Sequence, residues 1–170
     1  TTSFVALLAG SGVAIGMALS GTLQNFSGGI MILVFKPFKV GDYIEAQGYS
    51  GTVTAIEITS THINTPDNKK IILPNGALSN GTINNYSTTG IRRCNWDMSI
   101  PYGTDLEKAK STGLAIIRAH KAIVNDPAEP HVYLTEFGTG YVTLSFRCWV
   151  KVDDYWDLFF DINEQIYNEF

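Results

Sequence analysis

The side chains of this sequence that could bind a metal or act as nucleophiles lie far apart along the chain. His62, His120 and His131 fall in three different predicted elements, and none has a cysteine or a pair of carboxylates at the spacing of a zinc site. Cys94 and Cys148 are equally isolated in sequence. We therefore interpret the histidines as structural and the two thiols as reduced and packed, and we expect no metal and no cofactor.

A group of aspartates near the end of the chain offers the best alternative for cation binding. Asp153, Asp154, Asp157 and Asp161 recur at helical spacing, and grouped carboxylates suit a divalent cation. Aspartate at the start of a helix is also stabilised by the helix dipole, so we interpret the group as a solvated helix face. The sequence contains no G-x-S-x-G, phosphate-loop or H-E-x-x-H motif, and we expect no enzymatic activity.

The distribution of charge divides the 170-residue chain into two unlike parts. Residues 1–35 contain no Asp, Glu, Lys, Arg or His, although the whole chain is 16% charged with a net charge of -4. An uncharged apolar stretch of this length predicts a membrane-spanning helix and argues against a wholly soluble protein. The acidic composition, with a pI near 5.3, argues against nucleic acid as a partner, because phosphate binding requires a basic surface.

We predict that the apolar segment, residues 1–35, forms two helices. One straight helix of this length would measure about 52 Å, well beyond a hydrocarbon core of about 30 Å. Ser20 and Gly21 form a Gly/Ser pair of the kind found at kinks, and polar residues follow it. The prediction is a transmembrane helix that ends at Ser20, a bend at Gly21 and Asn25, and a second helix over residues 23–35.

One stripe of the first helix combines apolar and polar side chains. At 100° per residue, four residues fall within about 60° of one another: Val13, Met17, Ser20 and Gln24. Ridges of small residues flank the stripe, with Gly10, Ala14, Ala18 and Gly21 on one side and Ala9, Gly12 and Gly16 on the other. Small residues let neighbouring membrane helices approach closely, so this pattern favours side-by-side packing of helix copies.

The stripe has two interpretations. If identical helices surround an axis, Val13 and Met17 form two apolar rings that close a pore by dewetting, while Ser20 and Gln24 contact water. If the helix is a single anchor, its glycines pack against other helices and the two apolar side chains only fill space. Sequence physics alone does not choose between the gate and the anchor.

Positive charge and a proline mark the end of the apolar segment. Lys36-Pro37-Phe38-Lys39 ends the helix and places two cations at the membrane boundary, so the residues after about 36 are predicted to be cytoplasmic. Short strand-like runs at 43–46, 52–58, 61–64 and 70–73, separated by turn residues, predict a small all-β domain over residues 36–88. The strand lengths suit a five-stranded SH3-like or Sm-like barrel.

Residues 89–170 show a different order of elements, β-α-β-β-α. Predicted are a strand at 94–100, a helix at 105–122, strands at 132–137 and 142–150, and a helix from Tyr155. This order is that of a ferredoxin-like α+β domain truncated before its last strand. Asp105 is predicted to cap the first helix, and Asp153 or Asp154 the second. The chain begins inside an apolar run and ends inside a helical pattern, so we expect it to be part of a longer protein.

Several ordered motifs carry a resemblance to a known family. They are the Gly/Ala-rich segment 9–21, Leu23-Gln24-Asn25-Phe26, the pair Gly28-Gly29, the segment 35–42, and Ile71-Ile72-Leu73-Pro74-Asn75-Gly76. Together they make the chain similar, over nearly all its length, to the small-conductance mechanosensitive channel family, usually called MscS.

The resemblance implies a homoheptamer in the inner (plasma) membrane, multi-pass in the full-length protein, whose third transmembrane helix lines the pore. In that family two large apolar residues one turn apart close the pore, and their positions match Val13 and Met17. The resemblance further implies opening by membrane tension, with ions and small osmolytes released during hypoosmotic shock. The outer transmembrane helices, the last strand of the α/β domain and the C-terminal β barrel of the family are not in this sequence.

Two other functions fit the same elements. The first is a channel of the same fold that is modulated by a cytoplasmic ligand acting on the α/β domain. The second is a membrane-anchored Sm-like binding module, in which the β domain holds a partner and the apolar helix is only a tether. Exposed aromatic and basic side chains on the β strands would favour the binding module, and the sequence shows neither clearly.

Overall fold

The computed structural model describes residues 1–170, which divide into two units, Thr1–Thr88 and Thr89–Phe170. The first unit contains the elements α1 (Thr2–Phe35), β1 (Tyr43–Ala46), β2 (Tyr49–Ile56), β3 (Ser60–Asn64), β4 (Lys70–Pro74), α2 (Asn75–Asn80) and β5 (Ile83–Asn85). The second unit contains β6 (Ile91–Pro101), α3 (Leu106–Ala119), β7 (Ile123–Val124), β8 (His131–Phe137), β9 (Tyr141–Lys151) and α4 (Tyr155–Glu169).

Helix α1 is one uninterrupted helix of 34 residues, so the prediction of two separate helices is wrong for this structure, and the bend at Gly21 and Asn25 stays a prediction. A Gly/Ser pair makes bending less costly, but it removes no backbone hydrogen bond as a proline would. The hydroxyl of Ser20 donates to the carbonyl of Met17 at 2.9 Å, inside the same turn. The helix ends where expected, with Lys36 in the left-handed conformation just before Pro37.

Strands β1 to β5 form one antiparallel sheet in the order β4-β3-β2-β1-β5. The alternating burial of β1 and β3 sends Ile44 and Ile63 into an apolar core that also contains Phe38 and Leu78. Leu78 belongs to the short helix α2, which the sequence analysis did not predict. Ile32 of α1 is part of this core, so the end of the long helix and the β sheet fold as one unit.

Strand β9 is the centre of the second sheet, with β6 along one edge and β8 and β7 along the other. One face of this sheet is covered by α3 and α4, which contribute Ile117, Leu158 and Ile162 to the core around Phe146. Helix α3 lies very close to the sheet, because a Cβ at Gly113 would stand 2.4 Å from the ring of Phe146. The observed order is the predicted β-α-β-β-α with one addition, the two-residue strand β7 between α3 and β8, which was not predicted.

The predicted caps differ in outcome. The carboxylate of Asp105 accepts the backbone N–H of Lys108 at 3.1 Å, which confirms it as the N-cap of α3. Asp154 occupies the N-cap position of α4 as predicted, but neither it nor Asp153 caps the helix with a side-chain hydrogen bond. Both lie in a 3₁₀ turn, Val152–Asp154, that leads directly into the helix. The predicted fold class, an apolar helix followed by an SH3/Sm-like β domain and a ferredoxin-like α+β domain, is confirmed.

Candidate pore segment

Most of α1 has no partner within the chain. Only Gly28, Gly29 and Ile32 are buried, and all of residues 1–24 are exposed. Large apolar side chains in this part, such as Val13 at 63% and Met17 at 73%, are as open as in an isolated helix. Because α1 is also the one helix long and apolar enough to cross a membrane, lipid or other helices must cover this surface.

The continuous helix keeps the predicted stripe in line. Val13, Met17, Ser20 and Gln24 follow one another along one side of α1 over about 17 Å. The two apolar members come first, and the two polar members lie nearer the end that joins the β domain. A ring of several such helices would therefore present two apolar layers followed by a wet, polar layer.

The glycines of α1 fall into two groups that the sequence does not distinguish. A Cβ placed on Gly10, Gly12, Gly16 or Gly21 would meet no atom of the chain within 4 Å. Glycine inside a helix costs roughly 0.8–1.0 kcal/mol relative to alanine, and no contact within this chain explains that cost at these positions. The flanking Ala14 and Ala18 are also exposed.

Gly28 and Gly29, in contrast, are required by a close contact with the β domain. A Cβ on Gly28 would lie 2.4 Å from the backbone carbonyl oxygen of Asn75, and one on Gly29 would lie 1.9 Å from that of Ile58. Side chains at either position would force the helix away from α2 and from the turn before β3. The last turns of α1 are therefore docked on the β domain backbone to backbone.

Asn75 organises this contact from a fully buried position. Its side-chain oxygen accepts from the Thr61 hydroxyl at 2.7 Å, and its amide nitrogen donates to the carbonyls of Glu57 at 2.7 Å and Ile58 at 3.1 Å. A buried amide is tolerated because all of these groups are paired. The side chain holds the segment before β3 in the position that receives Gly29.

Asn25 completes the link from the helix side. Its side-chain oxygen accepts the backbone N–H of Gly76 at 3.0 Å, near the start of α2. The sequence predicts a bend at Asn25, and the structure adds a tertiary contact that was not predicted. The signal in the sequence was an asparagine one turn before Gly28-Gly29 in an otherwise apolar helix, but its partner lies 51 residues away.

The face of α1 that contacts the β domain and the stripe of Val13 and Met17 point in different directions around the helix axis. On an ideal helix, Asn25, Gly28, Gly29 and Ile32 centre about 100° around the axis from the stripe. The β domain therefore lies beside the stripe, on the side of the ridge formed by Gly10, Ala14, Ala18 and Gly21. It leaves the first three residues of the stripe uncovered and approaches the fourth, Gln24, at Gly76.

Truncation of Asn75 should loosen the β domain at this point. In Asn75→Ala, the Thr61 hydroxyl and the carbonyls of Glu57 and Ile58 lose their partner, which we expect to cost about 3 kcal/mol. Native-state hydrogen exchange of the β3 and β4 amides measures this loss as faster exchange. Asn80→Ala, an exposed position on the same short helix, is the matched control and should leave the exchange unchanged. Equal protection in the two variants would contradict the assigned role.

The histidines and aspartates do not meet in one place. The His62 ring lies 3.7 Å from the carboxylate of Glu57, and His120 lies 3.2 Å from that of Asp161. No group of three or more His, Cys, Asp or Glu side chains is arranged to hold a metal ion. Asp161 thus contacts a histidine, a partner that the solvated-face interpretation did not foresee.

Cys94 and Cys148 are free, fully buried thiols that lie opposite each other on β6 and β9. Burial raises the pKa of Cys94 to about 11 and that of Cys148 to about 12. Both are therefore protonated at neutral pH and lack the thiolate that acts as nucleophile or metal ligand. The prediction of reduced, packed thiols is confirmed.

Two family models match the chain in the order of its units. Residues 21–88 match the β domain of mechanosensitive ion channels, and residues 94–170 match the C-terminal part of the mechanosensitive ion channel MscS. Together they cover the docked end of α1, the β domain and nearly all of the α/β domain.

Individual relatives agree with these models. The chain is 33% identical over 155 residues to a small-conductance mechanosensitive channel of Helicobacter pylori (strain UM084), covering 91% of this chain and 56% of that protein. It is 34% identical over 154 residues to the channel of the same name from Edwardsiella ictaluri, covering 91% of this chain and 54% of that protein. The chain thus spans little more than half the length of these relatives.

The solved structures extend the similarity to three dimensions. The crystal structure of Helicobacter pylori MscS, described as a closed state, matches with a TM-score of 0.90 at 31% identity, over 99% of this chain and 66% of that one. Arabidopsis thaliana MSL1 shares the fold at 19% identity, with a TM-score of 0.82. From its two matched domains and its structural similarity, the chain belongs to the small-conductance mechanosensitive channel (MscS) family.

Proposed function

We propose that this chain is the pore-forming part of a channel subunit that opens under membrane tension and releases ions and small osmolytes during hypoosmotic shock. Copies of α1 surround the pore, as a homoheptamer by family resemblance, and Val13 and Met17 form its constriction. Ser20 and Gln24 line the wet part of the pore. The proposal assigns no catalytic residue and no cofactor.

One observation carries the proposal: α1 has two kinds of glycine. Gly28 and Gly29 are explained by contacts within the chain, whereas Gly10, Gly12 and Gly16 have no neighbour within 4 Å. Glycines with no intrachain contact, in an apolar helix whose surface is uncovered, are those expected where identical helices pack closely. This favours the gate over a single anchor, because the ridges lie on both sides of the stripe.

The physics of the stripe supports a tension-dependent gate. Two apolar rings one turn apart exclude water when the pore is narrow and become hydrated when it widens. A wider ring of helices occupies more area in the bilayer, so tension favours it. The names of the Helicobacter pylori and Edwardsiella ictaluri relatives, both small-conductance mechanosensitive channels, agree with this activity.

The membrane orientation follows from the charges at the end of α1. Lys36 and Lys39 lie just beyond the helix, and the positive-inside rule places them on the cytoplasmic side of the cell membrane. The β and α/β domains follow on the same side. The docked turns of α1 connect the membrane segment directly to the β domain.

The proposal is tested by recording from membrane patches that contain the full-length protein under stepped suction. We expect tension-dependent openings, and Gly16→Val should shift them to higher tension, because the bulkier ridge costs about 1 kcal/mol per helix contact in the wider packing. Ile15→Val, which changes the opposite, lipid-facing side of α1, is the control and should keep the original threshold. A channel without tension dependence, or an unchanged threshold in Gly16→Val, would contradict the proposal.

A further inference from the structure

The α/β domain contains a cavity between the end of α3 and the loop that leads into β8. Its volume is about 250 Å³, which is below the range of roughly 300–1,000 Å³ typical of pockets for drug-sized ligands and suits a smaller molecule. The residues that line it are Arg118, His120, Ile123, Asn125, Glu129 and Pro130. All of them lie far from the pore segment in sequence, and the proposed channel activity uses none of them.

The uncharged ring of His120 forms part of the lining of this cavity. Its ring is 11% exposed, Nδ1 accepts the backbone N–H of Ala122 at 3.2 Å, and Nε2 lies 3.2 Å from the carboxylate of Asp161. A ring that accepts a hydrogen bond at Nδ1 carries its proton on Nε2, and this N–H donates a hydrogen bond to the carboxylate of Asp161. Both nitrogens of His120 are thus paired within the protein, and the ring in this form carries no formal charge.

The two charged residues of the cavity have opposite signs and do not pair with each other. Arg118 donates from Nη2 to the carbonyl of Pro130 at 3.3 Å, which holds its guanidinium at the cavity wall, and it has no other protein acceptor. The carboxylate of Glu129 takes part in no hydrogen bond and no ion pair within the chain. The amide of Asn125 is likewise unpaired. All three side chains are exposed, so this open cavity has a positive, a negative and an amide side chain along its lining.

We propose that this cavity binds a small zwitterion of the α-amino acid type. The ligand carboxylate accepts hydrogen bonds from the guanidinium of Arg118, and its ammonium group donates to the carboxylate of Glu129. The ligand side chain lies on the apolar surface of Ile123 and Pro130. A ligand with both charges pairs with both Arg118 and Glu129, whereas an anion or a cation alone pairs with only one of them. This inference goes beyond channel activity and does not depend on how the pore is gated.

The test uses the full chain in detergent micelles and three related probes. They are L-valine, 3-methylbutanoate, which lacks the ammonium group, and 2-methylpropylamine, which lacks the carboxylate. Saturation-transfer NMR and calorimetric titration measure the binding of each. We expect saturable binding of L-valine, and affinities at least about tenfold lower for the two truncated probes, because each loses one charge-assisted interaction. Equal binding of 3-methylbutanoate would overturn the assignment to a zwitterion.

Four variants identify the site. Arg118→Gln and Glu129→Gln each remove one charge and should each lower the affinity for L-valine at least about tenfold. Lys121→Gln and Asp126→Asn neutralise nearby charges of the same sign that do not line the cavity, and should leave the affinity unchanged. Circular dichroism shows whether each variant is folded, and Glu129→Gln alone decides the matter if Arg118→Gln fails to fold. No saturable L-valine binding, or equal affinity in Glu129→Gln and Asp126→Asn, would overturn the proposal.

Discussion

Val13→Asp is expected to leave the pore open to water and ions in the absence of tension. In the proposed ring, every subunit then contributes a carboxylate to the constriction, and hydrated charges cannot form the dry layer that closes it. Repulsion between the carboxylates also favours the wider state. A shift of only about 1.4 kcal/mol against the closed state raises the open fraction tenfold, and a charge on every subunit should exceed this.

Patch recordings of the full-length protein at zero applied suction measure this leak directly. Val13→Leu is the matched control, since it changes the same position and keeps an apolar ring, and it should remain closed without tension. Met17→Asp should behave as Val13→Asp does, because Met17 lies one turn further along the same stripe. Closed, quiet patches from both aspartate variants would mean that these side chains do not face the pore.

Gly29→Ala is expected to destabilise the first unit by about 2 kcal/mol, although alanine is the better helix former. The added Cβ would lie 1.9 Å from the carbonyl oxygen of Ile58 and 2.8 Å from the side-chain nitrogen of Asn75. Neither neighbour can retreat easily, because Asn75 holds that segment by two hydrogen bonds. Overpacking of this kind costs about 1–3 kcal/mol and outweighs a helix-propensity gain of about 1 kcal/mol.

Gly21→Ala makes the same chemical change where nothing lies within 4 Å of the new Cβ. Within the chain only the propensity term remains, and alanine keeps the ridge small, so this variant should be unchanged or slightly more stable. Thermal unfolding of the detergent-solubilised chain by circular dichroism compares the two midpoints. We expect Gly29→Ala to lower the unfolding midpoint and Gly21→Ala to leave it unchanged or raise it slightly. A Gly29→Ala midpoint at or above that of Gly21→Ala would refute the docking of α1 on the β domain.

Local pattern predicted most of the regular structure. The period-2 runs located β1, β3 and β4 to within a residue or two, and the change of period after residue 88 located the α/β domain. The short helix α2 was missed, because six residues containing glycine and asparagine carry no helical periodicity. It forms because Leu78 is buried in the β core and because Asn25 binds its first turn.

The missing break in α1 shows the limit of local pattern. Ser20 and Gly21 permit a kink, but a kink needs a force to produce it, and within this chain residues 1–23 are exposed and a Cβ on Gly21 would meet no neighbour within 4 Å. Without such a contact the helix keeps its regular hydrogen bonds. The break was predicted because α1 is longer than a bilayer is thick. That comparison concerns the surroundings of the helix, whereas no residue within the helix interrupts its hydrogen bonds.

The sequence by itself determined the apolar helix, the stripe of Val13 and Met17 with its small-residue ridges, and the order of the two domains. These follow from periodicity and side-chain type, which act between residues near each other in the chain. Only the tertiary structure decided that Gly28 and Gly29 dock on the backbone at Ile58 and Asn75 while the earlier glycines stay uncovered. Close approach of two backbones depends on contacts between residues 29 or more positions apart, and glycine looks the same in a sequence whether such a partner is present or not.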